Sequence, residues 1–294
     1  DYLWKKILTK DKLSRIIENY AQVVIEEDPE TKKKSVKQIF PRYHQLDCVE
    51  KLLADVKANG VGKRYLVQHS AGSGKSNSIA WLAHQLIGLE KDGHPMIDSV
   101  LVVTDRRILD KQIRDNIKQF MQVANTVAWA EHSGDLRKAI QAGKRIIITT
   151  VEKFPYVVPD IGAAHKTNHF AVIIDEAHSG QNGRNSAQMN LALSGLASED
   201  EMDNEDKINA MMEGRKLLPN ASYFAFTATP KNKTLETFGT LVVDENGNPV
   251  LNEDGEAQHR PFHSYTMKQA IQEGFILDVL KYYTPISSYY KLMK

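Results

Sequence analysis

The chain has 294 residues, of which 41% are hydrophobic and 26% charged, and its formal net charge is +1. These values are typical of a globular protein, and they exclude wholesale disorder, a fibrous repeat and a strong whole-chain attraction to polyanions. The single cysteine, Cys48, excludes an internal disulfide, and no apolar run is long enough for a membrane-spanning helix. We therefore expect a cytoplasmic protein with no membrane partner.

The first 37 residues differ in pattern from the rest of the chain. Apolar residues recur there at helical spacing up to residue 27, which predicts two short helices. The stretch from Glu26 to Lys37 is polar and contains Pro29, so it predicts a linker or an exposed turn. We place a boundary near residue 37.

Five short apolar runs alternate with helical stretches in the following part of the chain. They are RYLVQ at 64–68, SVLVVT at 99–104, RIIITT at 145–150, FAVIID at 170–175 and YFAFT at 223–227. Near-continuous runs of Val, Ile and Leu are typical of strands buried on both faces, and alternation with helices indicates a parallel sheet. The sequence predicts a three-layer α/β domain.

Three further stretches carry weaker patterns. Residues 196–214 are acidic, which predicts a solvated, partly helical surface segment. Residues 242–257 contain Asn-Gly and Asp-Gly pairs between short apolar runs and predict a β-hairpin. Residues 265–280 predict a helix closed by Gly274 and followed by a strand.

A candidate phosphate-binding loop, HSAGSGKS at 69–76, lies between a predicted strand and a predicted helix. Gly72 and Gly74 would let backbone N–H groups turn toward a phosphate, and the helix adds the positive end of its dipole. Lys75 could reach the β and γ phosphates, and Ser76 would supply a hydroxyl to Mg²⁺. His69 stands where the motif usually begins with glycine, and we expect it only to end the strand. The alternative is a glycine-rich helix start without a ligand.

A pair of carboxylates follows the predicted strand FAVIID, at the end where open α/β sheets bind their ligands. Asp175 would hold Mg²⁺, directly or through water, and Glu176 would orient or deprotonate the attacking water. His178 would couple this site to the next segment. A helix start with acidic first-turn residues is the alternative, but the position 100 residues after Lys75 favours a nucleotide site.

Together these motifs resemble the superfamily 2 helicases and translocases, whose motor consists of two RecA-like domains with ATP bound between them. FPRYHQLDCVEKL at 40–52 is similar to the adenine-recognising Q motif of that family, and FTATP at 226–230 is similar to its motif III. The resemblance implies that Gln45 hydrogen-bonds the adenine base beside Arg42, and that Thr227 and Thr229 couple hydrolysis to strand movement. The implied ATP-site residues are Arg42, Gln45, Gly72, Ser73, Gly74, Lys75 and Ser76, with Lys75, Asp175 and Glu176 in catalysis and Ser76 and Asp175 at Mg²⁺.

Two segments resemble family regions that contact nucleic acid. LVVTDRRILDKQI at 101–113 is similar to motif Ia, and IITTVEKF at 147–154 lies where the family contacts the strand. The implied DNA contacts are Arg106, Arg107 and Thr150, with phosphates as the partners of the arginines. A solvated helix face is the alternative for Arg106 and Arg107.

The residues of these motifs are most similar to those of the restriction (R, motor) subunit of type I restriction-modification enzymes. The resemblance implies ATP and Mg²⁺ as cofactors, and duplex DNA, a methyltransferase subunit and a specificity subunit as partners. It also implies a helical linker from an upstream nuclease domain at 1–37, a first RecA-like motor domain at 38–262, and a connection into a second motor domain at 263–294. The acidic residue and the E-x-K pair that the nuclease of that family carries on neighbouring strands are not visible here. In that family the second motor domain supplies the arginine that completes the ATP site, so we expect an ATP-dependent DNA translocase fragment that binds ATP better than it hydrolyses it.

Two other functions stay open at this point. Another superfamily 2 motor, such as a type III restriction subunit or an RNA helicase, would use the same ATP chemistry on a different polymer. A nucleotide-binding interaction module without turnover would keep the phosphate loop and lack the motor activity.

Overall fold

The structure is a computed structural model that describes residues 3–27, 32–104, 127–130, 133–150, 167–175, 220–252 and 255–278. A π-helical turn spans Leu3–Ile7, and the α-helices are α1 Lys10–Asn19, α2 Tyr43–Asn59, α3 Lys75–Ile87, α4 Ser133–Gln141, α5 Asn232–Phe238 and α6 Met267–Gln272. The first strands are β1 Gln22–Glu27, β2 Lys34–Ile39, β3 Arg64–His69, β4 Glu90–Lys91, β5 His94–Pro95 and β6 Ser99–Thr104. The later strands are β7 Val127–Trp129, β8 Ile146–Thr150, β9 Phe170–Asp175, β10 Ala221–Thr227, β11 Thr240–Leu241, β12 His259–Arg260 and β13 His263–Tyr265.

A seven-stranded sheet with the order β13-β3-β10-β9-β6-β8-β7 forms the centre of the molecule. All of its strand pairs are parallel. Its central strands are the five predicted from the apolar runs, because residues buried on both faces need apolar side chains at every position. The edge strands β7 and β13 have three residues each, too short for a periodic pattern to reveal them.

Helices cover both faces of the sheet and make three layers. Neighbouring residues of one strand face opposite layers: Val67 packs with α2 and α3, whereas Leu66 packs in the cluster that includes α4 and α5. The predicted three-layer α/β fold with a RecA-like sheet is confirmed. None of the helices in the described ranges has both the length and the apolar character that a membrane span requires.

One prediction for the N-terminal segment is wrong, because part of the expected linker forms strands. The polar stretch expected to be a linker or turn at residues 26–37 contributes to an antiparallel hairpin of β1 and β2, in which Gln22 pairs with Ile39. The residues of β2 are exposed apart from the half-buried Ile39, so the strand lacks the apolar alternation that would identify it. The helical part is present, and Ile16 of α1 and Tyr20, which follows the helix, join the core that includes α3.

Residues 240–276 follow the last central strand. The predicted turn-rich hairpin is confirmed by the bridges Val243 to Pro249 and Leu251 to Ala257, beside the β11-β12 pair. Helix α6 is also confirmed, with the Thr266 hydroxyl accepting a hydrogen bond from Gln269 N, and Gly274 beyond it has φ +72°. Residues 275–278 are not a strand, and the rest of that predicted strand lies outside the described residues. The acidic segment 196–214 lies outside them as well.

Candidate functional site

The phosphate-binding loop lies where the sequence predicts it, between β3 and α3. Strand β3 ends at His69 and α3 begins at Lys75, which is 7% exposed. Gly72 and Gly74 have φ of +74° and +82°, in the left-handed region that favours glycine. The Ser73 hydroxyl donates to the Ser70 carbonyl at 2.7 Å and closes the loop internally. The loop leads into the N-terminus of α3, and the N-terminus of a helix offers backbone N–H donors and the positive end of the helix dipole to a phosphate.

Helix α2 holds this loop through side chains of its first turn. Gln45, 3% exposed, donates from Nε2 to the Gly74 carbonyl at 2.9 Å and accepts from Arg42 N at 2.8 Å through Oε1. His44 Nε2 lies 3.1 Å from the Ser73 carbonyl and donates to it, since a carbonyl oxygen only accepts. Gln45 therefore lies beside the phosphate loop, and its contact with an adenine base stays a prediction.

A second wall next to the loop comes from residues 265–276, which the motifs do not single out as part of the site. The Arg42 guanidinium lies 4.3 Å from the ring centroid of Phe275, and the Tyr43 hydroxyl donates to Glu273 Oε1 at 2.6 Å. Burial and the Glu273 carboxylate raise the pKa of Tyr43 to about 12, so this phenol stays a donor at neutral pH. The side chain of Ile276 also reaches the loop, because a Cβ at Gly72 would lie 3.1 Å from its Cγ2.

The carboxyl ends of three neighbouring strands bring the remaining predicted residues to one edge of the sheet. Asp175 ends β9 and Thr227 ends β10; both are buried, and β10 lies between β9 and β3. In register, Phe226 pairs with Asp175 and Thr227 pairs with Gln68. Asp175 thus shares its edge of the sheet with the phosphate loop.

The donors near the loop fit a magnesium ion. The Asp175 carboxylate and the partly exposed Ser76 hydroxyl are hard oxygen ligands, the type that Mg²⁺ prefers beside nucleotide phosphates. Neither the sulfur of a cysteine nor a histidine nitrogen is needed for that ion. These two residues are the ones expected from the sequence.

Of the remaining predicted site residues, the structure describes Thr229 and Thr150. Thr229 is exposed just after β10, and Thr150 ends β8, three strands from β10 in the sheet. Glu176, His178, Arg106 and Arg107 lie outside the described residues. Their predicted roles in catalysis, coupling and DNA contact stay predictions.

Histidines near the start of the loop form a chain of hydrogen bonds that the motifs do not indicate. His69 Nε2 lies 2.9 Å from His263 Nδ1, and His263 Nε2 lies 3.0 Å from Asp47 Oδ2. The Cys48 sulfur is close by, and Cys48, His69 and His263 each have one possible metal-ligand atom in a group within 4.8 Å. These three residues do not have the short sequence spacing of a zinc motif. They lie close together because β13 pairs with β3 in the sheet.

Comparisons with known proteins agree with this geometry. The sequence profile of a family described as SWI2/SNF2 ATPase matches residues 44–290. The type I restriction enzyme SauMSSORF170P endonuclease subunit of Staphylococcus aureus (strain MSSA476) is 26% identical over 241 residues, which cover 80% of this chain and 21% of that protein. The type I restriction enzyme HindI endonuclease subunit of Haemophilus influenzae is 27% identical over 228 residues, covering 71% of this chain and 19% of that protein. The chain spans about a fifth of the length of these relatives.

Solved structures with a similar course of the chain include two DNA complexes. A nuclease-deletion mutant of the type ISP restriction-modification enzyme LlaGI aligns with a TM-score of 0.47 and 16% identity, over 83% of this chain and 22% of that one. The SWI2/SNF2 ATPase core of Sulfolobus solfataricus aligns with a TM-score of 0.42 and 18% identity, over 67% of this chain and 34% of that one.

Proposed function

Because the chain belongs to the SWI2/SNF2 ATPase family, we propose that it is the ATP-binding motor domain of a type I restriction endonuclease subunit, which uses ATP hydrolysis to translocate duplex DNA. One observation carries the proposal most directly. The phosphate loop, with Lys75 at the start of α3, and Asp175 at the end of β9 occupy the same edge of a parallel sheet. Open α/β sheets bind nucleotides at that edge.

The residues at this edge have distinct roles in the proposed reaction. The loop amides and Lys75 bind and orient the β and γ phosphates, and Gln45 and Arg42 face the base. Ser76 and Asp175 would hold Mg²⁺, which supplies neutralisation of the charge on the phosphate oxygens. Glu176 orients the attacking water, and Thr227 lies between the loop and Asp175, where it senses the state of the site.

The proposal places this chain within a larger motor. We propose a linker to a nuclease domain at residues 1–37, the motor domain at 38–262, and a connection to a second motor domain from residue 263. The first three residues of the proposed connection, His263–Tyr265, form β13 and pair with the central sheet. A second domain would supply the arginine whose absence typically lowers phosphoryl transfer by about a thousandfold or more. We therefore propose that the motor domain at 38–262, taken by itself, binds ATP and hydrolyses it slowly.

Further parts of the proposal concern partners. Duplex DNA is the polymer, contacted through phosphates by Arg106, Arg107 and Thr150, and the cytoplasm is the compartment. Methyltransferase and specificity subunits complete the enzyme, and cleavage at a distance belongs to that whole complex. The type I relatives support this assignment through their names and their coverage of the motor region.

The experiment is a comparison of variants of the full-length subunit in DNA-stimulated ATP hydrolysis and in translocation. Lys75→Ala and Asp175→Ala should abolish both activities, while Lys57→Ala, an exposed lysine of α2, should leave both unchanged. Translocation by either site variant would reject the roles assigned to Lys75 and Asp175. ATP binding without turnover on any nucleic acid would instead identify a nucleotide-binding interaction module.

A further inference from the structure

The residue that ends β3 is more than a strand terminus. His69 is fully buried, and its backbone pairs with Tyr265 of β13 while Ser70 N donates to the Tyr265 carbonyl at 2.9 Å. Its ring also packs against aromatic rings on two other elements, with centroids 5.4 Å from His44 and 6.4 Å from Phe226. The start of the phosphate loop is therefore fixed by contacts with a strand 194 residues away in sequence.

The hydrogen-bond chain from Asp47 assigns a tautomer to each histidine. A carboxylate only accepts, so His263 donates from Nε2 to Asp47 Oδ2. Burial lowers the pKa of both His69 and His263, which are neutral at pH 7, so His263 Nδ1 carries a lone pair. His69 must then donate from Nε2 to His263 Nδ1. His69 Nδ1 is left as a buried acceptor with no hydrogen-bond partner among the described residues.

The hydrogen bonds from Asp47 through the two histidines form a second connection between α2 and the phosphate loop. Gln45 and His44 hold its end, at Gly74 and Ser73, through direct hydrogen bonds. Asp47, on the same helix, holds its beginning through two imidazoles. Since backbone amides must converge on a phosphate, fixing both ends of the loop sets where those amides point.

We infer that His263 is a positioning residue for the proposed nucleotide site: it holds His69, and through His69 the start of the phosphate loop, by a hydrogen-bond chain that begins at Asp47. This inference rests on the proposed ATP binding. It assigns a role in that site to a residue close to 200 positions from the loop in sequence, outside every motif. His263 does not touch the nucleotide, so its effect passes through His69.

The test compares two substitutions that separate the hydrogen bond from the packing. His263→Asn keeps an acceptor, Oδ1, near the position of Nδ1, whereas His263→Leu fills similar space with no acceptor. Affinity for a fluorescent ATP analogue is measured by equilibrium titration of the chain, below the unfolding temperature of every variant. We expect His263→Leu to raise Kd about tenfold, which corresponds to ~1.4 kcal/mol, and His263→Asn to raise it less than about threefold.

Control variants separate this role from general destabilisation. Cys48→Ala removes a buried neighbour of the histidines but none of the hydrogen bonds that link Asp47, His263 and His69. The Kd of this variant for the ATP analogue should stay within about twofold of wild type. Should His263→Leu fail to fold, His69→Gln, which keeps a donor near Nε2, against His69→Met makes the same comparison. A merely structural role would lower the unfolding temperature and leave Kd unchanged, and rescue by Asn or Gln would be absent.

Three results would overturn the inference. Unchanged affinity of His263→Leu would show that the hydrogen-bond chain does not position the loop, and equal weakening by Asn and Leu would show that the acceptor is irrelevant. Stoichiometric zinc in the purified wild-type chain, lost in Cys48→Ala, would show that the side chains ligate a metal. If instead the wild type fails to bind ATP, or Lys75→Ala binds it equally well, the proposed function fails and takes this inference with it.

Discussion

Gly74→Ala tests whether α2 and the phosphate loop are fitted together as the structure shows. A Cβ at Gly74 would lie 2.5 Å from Gln45 Nε2, whereas non-bonded heavy atoms keep about 3.5 Å apart. Gln45 would have to move by about 1 Å, which breaks its 2.9 Å bond to the Gly74 carbonyl. Gly143→Ala is the matched control, because Gly143 has φ +63° and nothing within 4 Å of its Cβ position. The hydrogen bond from Lys144 N to the Ala139 carbonyl closes the end of α4 around Gly143, an arrangement that requires a left-handed residue.

The two substitutions share the backbone cost and differ in the collision. A left-handed alanine costs about 1–2 kcal/mol at either position. The Gly74 carbonyl keeps its hydrogen bonds from Asn77 N and Ser78 N, but the buried Gln45 amide loses its bond to that carbonyl. A buried donor left unsatisfied adds about 1–3 kcal/mol. We therefore expect Gly74→Ala to lower the free energy of unfolding by about 1–3 kcal/mol more than Gly143→Ala does.

The assay is urea unfolding of the chain, repeated in a Gln45→Ala background. Without the Gln45 amide there is no collision, so Gly74→Ala and Gly143→Ala should then cost the same within about 0.5 kcal/mol. Equal costs in the wild-type background would refute the reasoning. So would an excess cost at Gly74 that persists in the Gln45→Ala background.

Three further predictions concern the histidine cluster, the N-terminal segment and the base. Burial lowers the pKa of His69 to about 2, so the folded state stays unprotonated while the unfolded state takes up a proton below pH 6.5. The free energy of unfolding should therefore fall as the pH drops below 6.5, and His69→Gln should make the loss between pH 7 and pH 5.5 about 1.3 kcal/mol smaller in urea titrations; equal losses would contradict it. Tyr20→Ala should cost about 3–5 kcal/mol in thermal or urea unfolding, because Tyr20 is 2% exposed, whereas Trp4→Ala, at 72% exposed, should change stability by less than about 0.5 kcal/mol; equal effects would show that α1 does not pack on the motor. Gln45→Ala should lower the ratio of ATP to GTP affinity about three- to tenfold in competition titrations, and an unchanged ratio would restrict Gln45 to holding the loop.

The central sheet can be predicted from the sequence because burial on both faces leaves a pattern in the residues themselves. SVLVVT and FAVIID are fully buried strands, and apolar side chains fill all of their positions except the ends, where Ser99, Thr104 and Asp175 lie. The phosphate loop can also be predicted from the sequence. Local backbone geometry requires Gly72 and Gly74, and the charge of a phosphate requires Lys75. Trp81 of α3 is fully buried and donates to the Tyr20 carbonyl, a contact that no sequence pattern indicates.

Other features depend on contacts that no local pattern records. The hairpin of β1 and β2 is largely exposed, so its residues need not alternate in polarity. In the sequence His69 resembles any other strand end, because its partner His263 comes from a three-residue edge strand far along the chain. Arg42 is expected beside the base, but its contact with Phe275 depends on where the chain turns after α6. Long-range pairing of this kind is set by the folded sheet, and only a structure displays it.

The proposal that this chain drives movement along duplex DNA is tested most directly by the nucleic acid that stimulates it. ATP hydrolysis by the full-length subunit should be measured with duplex DNA and with RNA of matched length, and the Lys75→Ala variant serves as the negative control. We expect duplex DNA to stimulate hydrolysis by the wild type, RNA to stimulate it little or not at all, and neither to stimulate the Lys75→Ala variant. Preferential stimulation by RNA would contradict the proposal and identify a different superfamily 2 motor.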